Sequence, residues 1–180
     1  MVSFTLSTIA LGLAALTSAL PAQSTTIRQD RFSLALHAEN YPVLSLNAIN
    51  SSVIGVKSLV FERPSAYPGT PAYLNDGHFL FDLSDTQPYA MNIPSVGDAY
   101  GVARDVNAPF GESNGDDGFG LVDGALVARQ DAALQAFFAC NSTLDGQDIL
   151  SLKWGVYQAD GKAPEDCTAA KLVTNFNVLA

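Results

Sequence analysis

Two Asp-Gly pairs set between short apolar arms constrain this chain more than any other feature of its sequence. They are Asp76-Gly77 in AYLNDGHFLFDL and Asp123-Gly124 in GFGLVDGALVA. Each has a leucine two residues before the aspartate (Leu74, Leu121) and an apolar residue two after the glycine (Phe79, Leu126). A type I′ turn needs positive φ at both central residues, which Asp-Gly tolerates, so each pair predicts a tight β-hairpin. Asp160-Gly161 follows the run LSLKWGVYQA and predicts a further turn.

The segments around these turns have strand periodicity. Phe32, Leu34 and Leu36 alternate with Ser33, Ala35 and His37, the pattern of a half-buried strand. Val43-Leu44-Ser45-Leu46 and Val53-Ile54-Gly55-Val56 are short apolar runs bounded by Asn, Ser and Pro, and read as strands. FERPSAYPGT (61–70) reads as a loop, because its prolines remove donors and favour turns. Residues 88–118, rich in Pro, Gly, Asn and Asp, read as long surface connections with one or two short strands near Tyr89 and Tyr100. In VARQDAALQAFF (127–138), Ala132 to Gln135 favour helix locally, but the ending AFFAC has the look of a buried strand, and strand is the expectation. The tail 171–180 alternates Leu172, Thr174, Phe176 and Val178, as a closing strand would. About ten short strands with frequent turn signals and no sustained helical period predict a single all-β domain, an antiparallel β-sandwich or barrel. A β-trefoil is the alternative, although it wants three comparable repeats and only two segments resemble each other.

The first residues bear on compartment. Residues 1–19 carry an apolar run rich in Leu and Ala, followed by small residues, which is the pattern of a cleavable signal peptide. A membrane anchor needs ~20 consecutive apolar residues. Here Ser7, Thr8, Thr17 and Ser18 break the run and Pro21 ends it. Residues 20–30 read as a flexible polar leader and 31–180 as the single domain. With 48% hydrophobic and 15% charged residues the domain can bury a core. A formal net charge of -9 argues against nucleic acid, whose recognition relies on Lys and Arg neutralising phosphates, and against anionic membrane surfaces.

In an exported chain, the two cysteines, Cys140 and Cys167, are expected to form one disulfide. Asn50-Ser51-Ser52 and Asn141-Ser142-Thr143 fit the N-glycosylation pattern, and Asn50 and Asn141 are expected in loops or at strand ends.

No catalytic residue stands out. The chain contains no Gly-x-Ser-x-Gly elbow, no His-Glu-x-x-His and no glycine-rich phosphate loop. Its histidines are His37 and His78, the latter beside a hairpin turn where exposure is the simple account. Glycoside hydrolysis needs two facing carboxylates, and Glu39, Glu62, Asp82 and Asp85 are the candidates, each also readable as a solvated edge charge. Residues 112–118, ESNGDDG, resemble a calcium loop in composition but lack the alternating ligand spacing and terminal Glu of an EF-hand. No metal or other cofactor is expected. Aromatic platforms for sugars would come from Tyr67, Tyr73, Tyr89, Tyr100, Trp154 or Tyr157, with Trp154 expected in the core.

Taken together, FSLALHAENYPVLSLNAINSS, the hairpin AYLNDGHFLFDL, the Phe-x-Ala-Cys stretch ending at Cys140, SLKWGVYQADG and the late Cys167 form a recognisable layout. It resembles the phialide-associated, PhiA-type secreted cell-wall proteins of filamentous ascomycete fungi. The resemblance implies a secreted, non-enzymatic structural protein of the cell wall or cell surface, with cell-wall polysaccharide or surface proteins as partners. It carries over no catalytic residue, and it carries over Cys140 and Cys167 as the disulfide pair. The alternative is a secreted binding module or effector for glycans or host proteins, followed by an unrecognised hydrolase.

Overall fold

The computed structural model describes residues 31–39, 41–64, 69–83, 86–128 and 134–176. The expected signal peptide and leader, Tyr67, Asp85 and Val178 lie outside these residues. Within them the protein is all-β, with strands β1 (Ser33–His37), β2 (Leu44–Asn50), β3 (Val56–Glu62), β4 (Ala72–Asn75), β5 (His78–Phe81), β6 (Tyr89–Ala90) and β7 (Ala103–Asp105). There follow β8 (Asn107–Pro109), β9 (Phe119–Val122), β10 (Ala125–Ala128), β11 (Gln135–Leu144), β12 (Gln147–Val156), β13 (Cys167–Ala169) and β14 (Lys171–Asn175). A single 3-10 turn, Glu112–Asn114, separates β8 from β9.

Both hairpins expected from the sequence form. Asp76-Gly77 (φ 46° and 86°) joins β4 to β5, and Asp123-Gly124 (φ 50° and 73°) joins β9 to β10. Both central residues have the positive φ that a type I′ turn demands. Asp145-Gly146 repeats the geometry at φ 50° and 78°, and closes the longest hairpin, β11–β12, which is paired from Gln135↔Val156 to Leu144↔Gln147. At Asp160-Gly161 only the glycine has positive φ; the turn closes through the Gly161 N–H donating to the Gln158 carbonyl at 2.9 Å and joins no two strands directly.

Eleven strands make one antiparallel sheet in the order β13-β11-β12-β3-β2-β1-β14-β10-β9, with β7 beside β12 and β8 beside β3. A second sheet holds β4-β5-β6. The large sheet is not closed into a barrel, and the two-sheet arrangement is consistent with a β-sandwich. The core lies between them: Leu34, Leu46, Leu59 and Leu152 of the large sheet meet Phe79, Phe81 and Met91. Phe79 sits at the junction, its ring 5.9 Å from Phe32, 5.1 Å from Phe81 and 6.3 Å from Phe119. Each such side chain contributes about 1.5–3 kcal/mol of burial before chain entropy is set against it.

Three expectations need correction. Strand β1 is buried on both faces, because the chain around residues 69–72 packs alongside it. Gly69, at φ 116°, lies over β1 and β2 so closely that a Cβ there would stand 3.4 Å from Ser33 Cβ of β1, and 2.9 Å from the Leu46 carbonyl oxygen and 3.2 Å from Ser45 Cβ of β2. The Thr70 N–H donates to Leu46 O at 3.1 Å, and Thr70 Oγ1 accepts from the Ala48 N–H at 3.0 Å. Phe32 and Ala72 exchange two backbone bonds that tie β1 to the small sheet.

Second, Val53 and Ile54 are not strand residues. They occupy the turn between β2 and β3, with Ile54 fully exposed. Ser51 fixes that turn, its Oγ donating to the Val56 carbonyl at 2.9 Å and accepting from the Val53 N–H.

Third, residues 88–118 are not a surface connection. Ala90, Met91, Ile93, Val96, Val106 and Ala108 are all buried. Strands β3 and β12 pair at Val60↔Ser151 and Phe61↔Leu150, and then diverge. β8 takes the open edge of β3 and β7 that of β12, filling the split. Bridges Asn92↔Asn107 and Tyr89↔Phe110 then join this fork to the small sheet.

Candidate functional site

The expected disulfide forms. Cys140 on β11 and Cys167 on β13 are direct cross-strand partners, with an S–S distance of 2.05 Å and a Cα–Cα distance of 4.0 Å. The bond ties the short strand β13 to the long hairpin, and Cys140 itself is buried. Closing a loop of this length stabilises a fold by about 3–4 kcal/mol on the chain-entropy account. The Asn141 N–H donating to Asp166 O at 3.0 Å and the Cys167 N–H donating to Pro164 O at 3.1 Å hold the approach to the bond.

Beyond the disulfide, β11 and β12 turn mostly polar, with Leu144, Ile149 and Leu150 half-buried among the polar residues, and their tip forms one wall of a groove of about 1100 Å³. The opposite wall comes from the ends of β2 and β3. Both glycan acceptors line this groove. Asn50 ends β2 as expected, exposed, its Oδ1 accepting from Lys57 Nζ at 2.6 Å. Asn141 departs from expectation: it lies within β11, exposed, opposite Leu150, with its neighbour Ser142 in a hydroxyl pair with Ser151 at 2.8 Å. Glu62, Asp145, Asp148 and Asp166 line the same groove, and among the described residues no Lys or Arg does. Glu62 Oε2 accepts from Asn47 Nδ2 at 2.8 Å. The Asp145-Gly146 dipeptide was the available sequence signal for this tip.

A second, smaller groove of about 400 Å³ is lined by Tyr100, Gly101, Gln158, Ala159 and Glu165. Tyr100 is 59% exposed there. Gln158 is held in place by its Nε2 donating to Ala163 O at 2.7 Å. An exposed aromatic face beside amide and carboxylate groups has the chemistry to stack and hydrogen-bond a sugar ring. Among the described residues, the other candidate tyrosines and Trp154 are occupied elsewhere. Trp154 is in the core as expected, edge-on to Phe137 with ring centroids 4.9 Å apart, its Nε1 donating to Gln135 Oε1 at 2.9 Å. Tyr89 packs against Phe110 beneath the Lys57 ammonium, and Tyr157 against Phe138. Tyr73 is half-buried, and burial, followed by the nearby charges of Asp82 and Glu112, pushes its phenol above the usual tyrosine range.

The ESNGDDG segment is a clasp made of protein-protein bonds. Glu112 Oε1 accepts from Asn75 Nδ2 at 2.7 Å, and Asp116 Oδ2 accepts from the Ile93 N–H and from Asn92 Nδ2. Asn114 Nδ2 donates to Phe110 O at 2.7 Å. His78, expected at the surface, is half-buried with Nδ1 3.0 Å from Asp116 O, so it too belongs to the clasp. Gly115 passes under the small sheet, where a Cβ would stand 2.4 Å from Ala90 Cβ. No group of three His, Cys, Asp or Glu among the described residues is placed to hold a metal.

The candidate acids are scattered. Asp82 pairs with Arg31 at 2.6 Å, Glu62 faces the large groove, and Glu39 lies exposed beside His37 near the start of β2. Among the described residues no helix is long and apolar enough to cross a membrane.

Fold and site together define a disulfide-bonded, two-sheet all-β domain that presents open polar grooves. The family described as a domain of unknown function (DUF7907) matches residues 32–176, and the chain belongs to that family. No curated protein and no solved structure matches it.

Proposed function

We propose that this chain is a secreted, non-enzymatic structural protein of a fungal cell wall or cell surface, of the PhiA type, and that it works through its outer surface. The observation that carries the reading is the Cys140–Cys167 disulfide, because a bond of this kind persists in oxidising compartments and is rare where thiols are kept reduced. The carboxylates nominated for catalysis support it in a second way. Asp82 is committed to Arg31 and Glu62 to Asn47, while Glu39 lies exposed beside His37, away from the groove that Glu62 lines. Fractionation of the producing cells tests it: the chain is expected in the medium and in washed walls, and a chain confined to the cytosol contradicts the proposal.

Tyr100 favours a second reading, a secreted module that binds glycans. Its exposed ring beside Gln158 and Glu165 suits a polysaccharide chain more than a protein core does. Pull-down on insoluble wall polysaccharides compares the parent with Tyr100→Ala. A loss of retention of about tenfold, the size expected when one stacking contact of ~1–1.5 kcal/mol is removed, favours the module. Equal retention favours the structural reading.

A further inference from the structure

From the placement of the two glycan acceptors we infer that Asn50 and Asn141 carry N-linked glycans that lie together in the 1100 Å³ groove, so that the chain's own sugars fill it. This rests on the export reading above, since only a chain in the secretory route meets the transferase.

The sequence separates the two acceptors by some ninety residues, yet the topology brings them to one groove. β2, β3, β12 and β11 are consecutive in the sheet, so three strand spacings, about 14 Å, separate the strands that carry them. Asn141 is level with Leu46, through Leu150 and Phe61, which leaves Asn50 four residues, about 13 Å, further along β2. Branched oligosaccharides of several rings span such a gap, and both asparagines are exposed and line the groove. The lining suits sugar. Asp145, Asp148 and Asp166 have no side-chain hydrogen bond or ion pair among the described residues, and stand ready to accept from sugar hydroxyls. Thr143 and Gln147 add further polar groups, Phe61, Leu144 and Leu150 offer apolar surface to the sugar-ring faces, and among the described residues no basic side chain lines the groove. A neutral polyhydroxyl occupant needs no counter-charge, whereas a protein partner with an acidic face would be repelled. The consequence is that outside partners meet other parts of the surface.

The experiment expresses the full chain in a yeast, both as it stands and behind a signal peptide of the host. Secretion only with the host signal contradicts the export reading and still delivers material that tests the groove. Peptide mapping is expected to find a glycan on both Asn50 and Asn141. A glycosidase acting on the native chain should release them at least severalfold more slowly than after denaturation. Removing one glycan should expose the other, so Ser52→Ala should speed release from Asn141 and Thr143→Ala release from Asn50. Asn50→Gln and Asn141→Gln repeat the test, should a first pair fold poorly. An unmodified Asn50 or Asn141 on secreted parent protein overturns the inference. So do release rates that are the same for native and denatured chains, or that are unchanged in the single-site variants.

Discussion

The β11–β12 hairpin and the segment 88–118 invert the usual relation between regular structure and burial. The hairpin is the most regular part of the molecule, ten residues on each strand, yet from Asn141 to Asp148 its side chains are exposed or half-buried. The 88–118 segment has only the short strands β6, β7 and β8 and a 3-10 turn, yet it supplies Met91, Val106 and Ala108 to the core and fills the split between β3 and β12. Ladder hydrogen bonds hold backbone together whatever the side chains are, whereas burial depends on which side chains meet the opposite layer. The hairpin tip is therefore free to serve as a surface, while the irregular segment is the structural wedge.

That contrast predicts unequal sensitivity to mutation. Met91→Ala, which empties a fully buried site in the wedge, should destabilise by about 2–5 kcal/mol, read from denaturant unfolding. A loss below ~1 kcal/mol would mean that the wedge does not carry the core. Asp116→Ala removes the acceptor for the Ile93 N–H and should cost about 1–3 kcal/mol, as expected for a partly buried donor left unpaired. At the tip, Gly146→Ala should cost only about 1–2 kcal/mol, because φ 78° disfavours a side chain although nothing lies within 4 Å of the added methyl. Asp148→Asn should change stability by less than about 0.5 kcal/mol.

A pH titration sharpens the same comparison. The phenol of Tyr73 is held above its ordinary range by burial and by Asp82 and Glu112, so the folded state favours its protonated form. Its contribution to stability is present below the unfolded value and is lost as pH rises through the folded one, above about pH 10. Tyr73→Phe should flatten that alkaline limb in a melting series. Asp160 shifts the other way, lowered by the hydrogen bond from Lys162, so its contribution is lost as pH falls through the acidic range. The pair is fully exposed, and Lys162→Ala should leave the melting temperature essentially unchanged.

What could be read from the sequence follows the same divide. The hairpins at Asp76-Gly77 and Asp123-Gly124 were legible because apolar residues flank the turn on both sides. Asp145-Gly146 is the same dipeptide with the same geometry, but Ser142, Thr143, Gln147 and Asp148 surround it, and without apolar alternation its strands gave no periodic signal. The wedge was illegible for the converse reason. Pro88, Pro94 and Pro109 with several glycines signal turns, and they do make turns, but turn chemistry says nothing about whether the intervening Met91 or Val106 faces a second sheet. Ile54 misled in the opposite direction, an apolar residue in a short branched run that the Ser51 turn holds out in solvent. Among site residues, Cys140 and Cys167 were legible from their number alone. That Asn50 and Asn141 share a groove was not, because it depends on the order of four strands.

The state of the chain in its own cells tests the central claim most directly. Intact mass and thiol labelling of protein recovered from the medium and from washed walls should find a chain beginning near Leu20, with Cys140 and Cys167 unreactive until reduced and then both labelled. Protein recovered only from the cytosol, still beginning at Met1 and with both thiols reactive at once, would contradict the account.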